Sequence, residues 1–142
     1  MRTLYQRRLG GDFDVTLVEN GNAARDAARQ SFFHVFLFDE LMPIMNGPEA
    51  LRQLRLEHVT TPAALVTANA ISSDIVEYGR ARGFDTCFSK PVHFNRLIVA
   101  LLALVQNDER ATEDGNQSTE KSDQKSPLQG VSAEFSAIAA PN

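Results

Sequence analysis

The segment Phe32–Leu51, FFHVFLFDELMPIMNGPEAL, restricts the fold more than any other part of this chain. It opens on an apolar run from Phe32 to Phe38 that only His34 interrupts. A run of that length, rich in Phe and Val, reads as a strand buried on both faces. It stops at two acids, Asp39 and Glu40. A Met-Pro step follows, then Asn46-Gly47-Pro48, which is turn chemistry. Pro48 suits the first position of a helix, and Glu49 suits its positive end. The sequence thus sets a carboxylate where a buried strand meets its loop. In open parallel α/β sheets, ligands bind at that carboxyl edge.

The flanking sequence repeats the same alternation. Residues 1–9 carry Leu4, Tyr5 and Leu9 with Arg7 and Arg8 behind them, the end of a helix that Gly10-Gly11 stops. Asp14 to Val18 alternates as a short strand. Asn20-Gly21-Asn22 offers a turn and a cap for an Ala-rich helix over Ala23–Arg29. After the central run comes a helix over Pro48–Glu57, with Ala50, Leu51 and Leu54 on one face. Ala63–Thr67 reads as a second buried strand. Ser72 or Ser73 is the expected cap of a helix reaching about Arg82, with Asp74 in its first turn and Gly83 at its end. Phe84–Phe88 is a short strand. Lys90-Pro91 breaks the chain, and Phe94–Val105 carries a wide apolar stripe of Leu97, Ile98, Leu101, Leu102 and Val105.

Strands alternating with helices imply a parallel sheet covered on both faces. The polar, small-residue composition from 107 to 142 cannot bury enough area to offset the entropy of ordering it. That division gives a folded domain over 1–106 and a disordered tail over 107–142, with the mildly apolar stretch Val131–Ala140 able to dock.

Composition removes several classes of function. A net charge of −4 and a pI near 5.3 give no nucleic-acid surface. No apolar run is long enough to span a membrane, and the basic start MRTLYQRRLGG leads into no secretory signal. The one cysteine, Cys87, forms no internal disulfide and fits a reducing compartment. His34, His58 and His93 lack ligand spacing. Met42 and Met45 read as packing residues.

Three residues share one topological place, the carboxyl end of a strand: Asp39, Thr67 and Lys90. A carboxylate there can attack phosphorus. An ammonium can neutralise phosphoryl oxygens, and a hydroxyl can donate to one of them. The blocks that carry these residues are Asp39-Glu-Leu-Met-Pro-Ile-Met-Asn-Gly47, Val66-Thr67-Ala-Asn-Ala70 and Phe88-Ser-Lys90-Pro91. In that order and spacing they resemble the response-regulator receiver domain over roughly residues 3–106, in wording like receivers attached to hybrid sensor histidine kinases.

The resemblance implies a flavodoxin-like doubly wound sheet and a cytoplasmic, non-enzymatic phosphorelay module. Asp39 would accept phosphate from a histidine kinase or a histidine phosphotransfer protein. Thr67 would swing toward the phosphoryl group, and Lys90 would pair with its oxygens. Asp39 and the backbone carbonyl of Leu41 would contribute to a Mg²⁺ site. The bond between Lys90 and Pro91 would be cis.

Two departures from the family stand out. Its first strand, which ends in the acidic pair that holds Mg²⁺, has no counterpart here, so the fold is expected to lack the central strand of the order 2-1-3-4-5. That leaves a truncated product, direct pairing of the two strands beside the gap, or weak stability alone. The position three before the lysine is Cys87, where the family often has an aromatic. The alternative to a phosphoacceptor is therefore a degenerate receiver that acts by protein contact alone. An aspartate-nucleophile phosphohydrolase would need a second Asp where this chain has Leu41.

Overall fold

The structure, a computed structural model, describes residues 2–41, 44–68, 74–115 and 135–136. In chain order the elements are α1 (Arg2–Leu9), β1 (Val15–Thr16), α2 (Gly21–Gln30), β2 (Val35–Asp39), α3 (Gly47–Leu56), β3 (Ala63–Thr67), α4 (Ile75–Ala81), β4 (Thr86–Ser89), α5 (Phe94–Gly115) and β5 (Phe135–Ser136). They form one five-stranded sheet in the order β1-β5-β2-β3-β4. Every strand pair is parallel.

The sheet is buried in its middle, as the apolar run requires. Every residue of β2 and of β3 is buried. Such strands need helices on both faces, and their side chains divide by period two. Phe36 and Phe38 share one face of β2, their rings stacked at 5.3 Å between centroids. Phe84 meets Phe38 edge-on from the approach to β4. Val35, Leu37 and Asp39 share the other face by the same period. Ala50, Leu51 and Leu54 are the buried face of α3, and Leu97, Leu101 and Val105 that of α5. Each fully buried Leu or Phe contributes about 1.5–3 kcal/mol by leaving water.

Local signals account for the helix starts. Asn20 caps α2 by accepting from the Ala23 N–H at 2.9 Å, and Asn46 caps α3 by accepting from Glu49. Pro48 lies in the first turn of α3, where its missing N–H costs nothing. The cap of α4 differs from the expectation. Asp74 performs it, accepting from the Glu77 N–H at 3.1 Å, and the helix begins at Ile75. Ser72 and Ser73 lie outside the described residues. β2 also begins later than the apolar run, because Phe32 is 68% exposed before the strand enters the sheet.

The two ends of the sequence depart furthest from expectation. α5 runs to Gly115, nine residues beyond the expected end of the folded domain at 106. Glu109, Arg110 and Ala111 are good helix formers, and Gly115 is a natural stop. The larger difference is β5. Phe135 pairs with Val15 on one side and with Val35 on the other, and Ser136 pairs with Thr16 and Phe36. Residues from the expected tail therefore occupy the central position that the sequence leaves vacant. β1 and β2 do not pair directly. They lie two strand spacings apart, roughly 9.6 Å, too far for a shared hydrogen bond. The inserted strand gives both of them a backbone partner, which buried N–H and C=O groups require.

Two predictions follow from this packing. Phe135→Pro removes a backbone donor from the middle of the sheet and is expected to cost about 1–3 kcal/mol. Thermal denaturation followed by circular dichroism measures it, and an unchanged midpoint would show that β5 contributes nothing. The second concerns Glu57, which joins α2 to α3 by accepting from Arg25 at 2.8 Å and from Arg29 at 2.8 and 3.1 Å. The hydrogen bond from Arg29, then that from Arg25, holds its carboxyl down at about 2 against an ordinary 4.5. A carboxyl lowered in the folded state adds stability above its unfolded value and loses it as pH falls toward the folded one. Glu57→Gln should therefore flatten the acid limb of the stability curve between about pH 4.5 and 2. An acid limb identical to that of the unaltered chain would refute it.

Candidate functional site

Three strands end within one residue of each other at one edge of the sheet. Asp39 is in register with Val66, and Thr67 with Ser89. The ladder continues one residue past each strand: the Glu40 N–H donates to the Val66 carbonyl at 2.8 Å, and the Lys90 N–H to the Thr67 carbonyl at 2.9 Å. Asp39, Thr67 and Lys90 thereby emerge together from 51 residues of sequence. This is the edge at which a doubly wound sheet presents its chemistry.

Asp39 is 4% exposed and Thr67 1%. The Lys90 ammonium donates to Asp39 Oδ2 at 2.6 Å. The Leu41 N–H donates to the other carboxylate oxygen at 3.1 Å. Both oxygens of a nearly buried carboxylate are thus engaged in hydrogen bonds, as buried polar groups require. Lys90 is the more open partner, with 37% of its side chain exposed. The bond from Lys90 to Pro91 is cis, as the resemblance implies.

The loop after Asp39 is held close. The Gly47 N–H donates to the Glu40 carbonyl at 3.2 Å. A side chain at Gly47 would run into the Asp39 carbonyl and would lie 3.2 Å from Phe38 Cβ. Only glycine lets α3 begin this near the end of β2. Ile44, in the same loop, has φ of 68°, a left-handed conformation that a β-branched residue rarely adopts. Strain of this kind gathers at functional loops. Leu41 is 73% exposed beside the carboxylate. Met42 and Pro43 lie outside the described residues, as do Asn69 and Ala70 of the second block.

Three residues near the site escape the sequence reading. Glu40 accepts from the Thr67 hydroxyl and from the Tyr78 phenol, the latter at 2.8 and 3.0 Å. Tyr78 comes from α4, and no sequence spacing relates it to Glu40. Tyr5 of α1 has its phenol pushed up to about 12, first by burial and then by the charge of Asp39. Its ring packs edge-on against Phe94 at 5.3 Å. Tyr5 reads in sequence as an ordinary helix-face residue, and nothing in the pattern points it toward Asp39. The thiol of Cys87 is pushed up to about 11, mainly by burial and further by Glu40. It is a buried free thiol.

Mg²⁺ demands octahedral oxygen coordination. Among the described residues no group of three or more His, Cys, Asp or Glu side chains converges. Asp39 has both oxygens in other hydrogen bonds, and the Leu41 carbonyl is one neutral ligand. These residues do not make a magnesium site. The described portion of β5 brings Phe135 and Ser136 to the vacant strand position, and neither is an acid. A groove of 510 Å³ between α3 and the end of α4 is lined by Leu51, Arg52, Arg55 and Gly83, without Asp39, Thr67 or Lys90.

Comparison with known proteins agrees with this geometry. The family model described as response regulator receiver domain matches residues 1–102. A two-component response regulator of Oryza sativa subsp. japonica is 38% identical over 96 residues, 65% of this chain and 72% of that protein. The transcriptional regulatory protein YkoG of Bacillus subtilis is 31% identical over 102 residues, 72% of this chain and 44% of that protein. Two-component system protein A of Emericella nidulans is 36% identical over 84 residues, 58% of this chain but 12% of that protein. This chain thus spans less than half of the latter two. Among solved structures, the receiver domain of a sensor histidine kinase from Pseudomonas aeruginosa, which has magnesium in its active site cleft, superposes with a TM-score of 0.66 at 26% identity, covering 74% of this chain and 88% of that one. A signal receiver domain from Vibrio parahaemolyticus shares the fold at a TM-score of 0.72 and 20% identity, covering 82% and 89%. With its flavodoxin-like sheet, its three motif blocks and this match over most of its length, the chain belongs to the response regulator receiver domain family of two-component signal transduction.

Proposed function

We propose that the chain is a phosphoacceptor module in a histidine-to-aspartate phosphorelay, with Asp39 as the acceptor. The observation that carries this reading is the 2.6 Å contact from Lys90 Nζ to the nearly buried Asp39 carboxylate, with Thr67 one residue further along the neighbouring strand. In the step proposed, a carboxylate oxygen of Asp39 forms a bond to phosphorus as the phosphorus–nitrogen bond of a phosphohistidine breaks. The electron pair leaves on the imidazole nitrogen, which takes up a proton. Lys90, released from the carboxylate, then pairs with the phosphoryl oxygens and offsets the negative charge that the phosphoryl group brings. Thr67 donates its hydroxyl to a third oxygen. The donor is a histidine kinase or a histidine phosphotransfer protein, and the module works as a cytoplasmic signalling domain over about residues 1–106 rather than as an enzyme.

A second reading has one observation in its favour. The residues around Asp39 do not gather the ligands that Mg²⁺ requires, so the module could instead act through contacts that ignore phosphate. The two readings separate on Asp39→Asn. A degenerate receiver keeps its partner binding when Asp39 is changed, and a phosphoacceptor loses its phosphate-dependent part.

The chain incubated with excess acetyl phosphate, with and without Mg²⁺, should gain one hydroxylamine-labile phosphoryl group by mass spectrometry. Asp39→Asn should abolish it, and an adduct that survives this change would move the site elsewhere. No adduct on the unaltered chain at saturating donor would leave the degenerate reading standing. Lys90→Ala should slow labelling about tenfold to a hundredfold, the worth of one charged hydrogen bond. Equal labelling rates would remove Lys90 from the proposed role.

A further inference from the structure

We propose that Glu40, steadied by Tyr78 and Arg82, is a positioning residue that holds the Thr67 hydroxyl in the unphosphorylated chain and opposes the phosphorylated one. The inference rests on the reading of Asp39 as phosphoacceptor and deepens it.

Four side chains from three elements meet beside the site. Glu40 Oε1 accepts from the Thr67 hydroxyl. Both Glu40 oxygens accept from the Tyr78 phenol, at 2.8 and 3.0 Å. Arg82 Nε lies 3.5 Å from Glu40 Oε2, and the same guanidinium stacks over the Tyr78 ring at 3.6 Å from its centroid. The Glu40 side chain is only 17% exposed. Donors from three side chains surround this covered carboxylate, which fixes its position.

The packing of α4 explains why Tyr78 reaches the site. Gly79 backs directly onto β4, where an added Cβ would stand 2.6 Å from Cys87 Cβ. Helix and strand therefore touch through a glycine and a cysteine. Tyr78, the neighbour of that glycine, packs against the core and extends its phenol to Glu40. An aromatic side chain at Cys87 would compete for the same space. The phenol that the strand does not supply comes from the helix.

The consequence for the chemistry is a competition. A threonine hydroxyl has one proton and donates it to one acceptor at a time. Glu40 and an aspartyl phosphate are both anionic acceptors for it. Donation to the phosphoryl group requires release from Glu40. The freed carboxylate then stands near a group carrying up to two negative charges, with Arg82 and the Tyr78 phenol as its remaining donors. Both effects weigh against the phosphorylated state.

Two measurements on the full chain test this. The first needs no phosphate: a double-mutant cycle of Glu40→Ala and Thr67→Val by chemical denaturation. The two changes should be non-additive because each removes one side of the same bond. Additive effects would overturn the hold itself, whether or not Asp39 is ever phosphorylated. The second is the phosphorylated fraction at limiting acetyl phosphate. Glu40→Ala should raise the equilibrium ratio of phosphorylated to free chain by about tenfold, the lower range for a charged hydrogen bond. Tyr78→Phe should raise it less, Glu40→Gln should lie between Glu40→Ala and the unaltered chain, and Thr67→Val should shrink the effect of Glu40→Ala. An adduct that forms on Asp39 with a ratio indifferent to Glu40→Ala would overturn the positioning role and leave the phosphoacceptor reading intact.

Discussion

Near-equal termination of β2, β3 and β4 is the constraint on which the site depends. Parallel pairing brings Asp39, Thr67 and Lys90 to one edge in steps of one residue, although Lys90 lies 51 positions after Asp39. The two backbone bonds beyond the strands, from Glu40 to Val66 and from Lys90 to Thr67, extend that alignment into the loops. A slip of one residue in either pair would turn the functional side chains to the opposite face. Burial enforces the register, because every side chain of β2 and β3 has a packed environment on its own face.

Around this edge the chain uses small residues where elements come closest. Gly47 lets α3 begin against the Asp39 carbonyl, and Gly79 lets α4 touch Cys87. Each close approach brings a polar residue near the site: Asn46 caps α3 beside the loop, and Tyr78 reaches Glu40. The polar groups at the edge form two connected sets, Lys90 with Asp39 and Thr67 with Glu40, Tyr78 and Arg82. In the proposed function the first would meet an incoming phosphoryl group, while the second holds the Thr67 hydroxyl.

Much of this was legible in the sequence. The apolar run at Phe32, the caps at Asn20 and Asn46 and the stripe on α5 are local patterns with local causes, and each reads correctly to within a few residues. Asp39, Thr67 and Lys90 were legible because each stands at the end of a recognisable strand. The cap at Asp74 was misplaced by one or two residues because Ser72, Ser73 and Asp74 are all good caps in a row. β5 was not legible. Phe135 and Ser136 lie in the mildly apolar stretch Val131–Ala140, which reads as able to dock but carries no signal of where, and only the gap between β1 and β2 gives them a place. Glu40, Tyr78 and Tyr5 were missed for a related reason, since contacts between distant elements have no periodicity to read.

The sequence by itself determined an α/β sheet with a carboxylate, a hydroxyl and an amine at one edge. Hydrophobic periodicity and turn chemistry act over a few residues, so they survive in a linear reading. The tertiary structure alone decided which strand fills the centre of the sheet and which acceptor holds the Thr67 hydroxyl. Both are settled by which unsatisfied backbone or polar groups come within about 3 Å of each other, and that proximity exists only once the elements have packed.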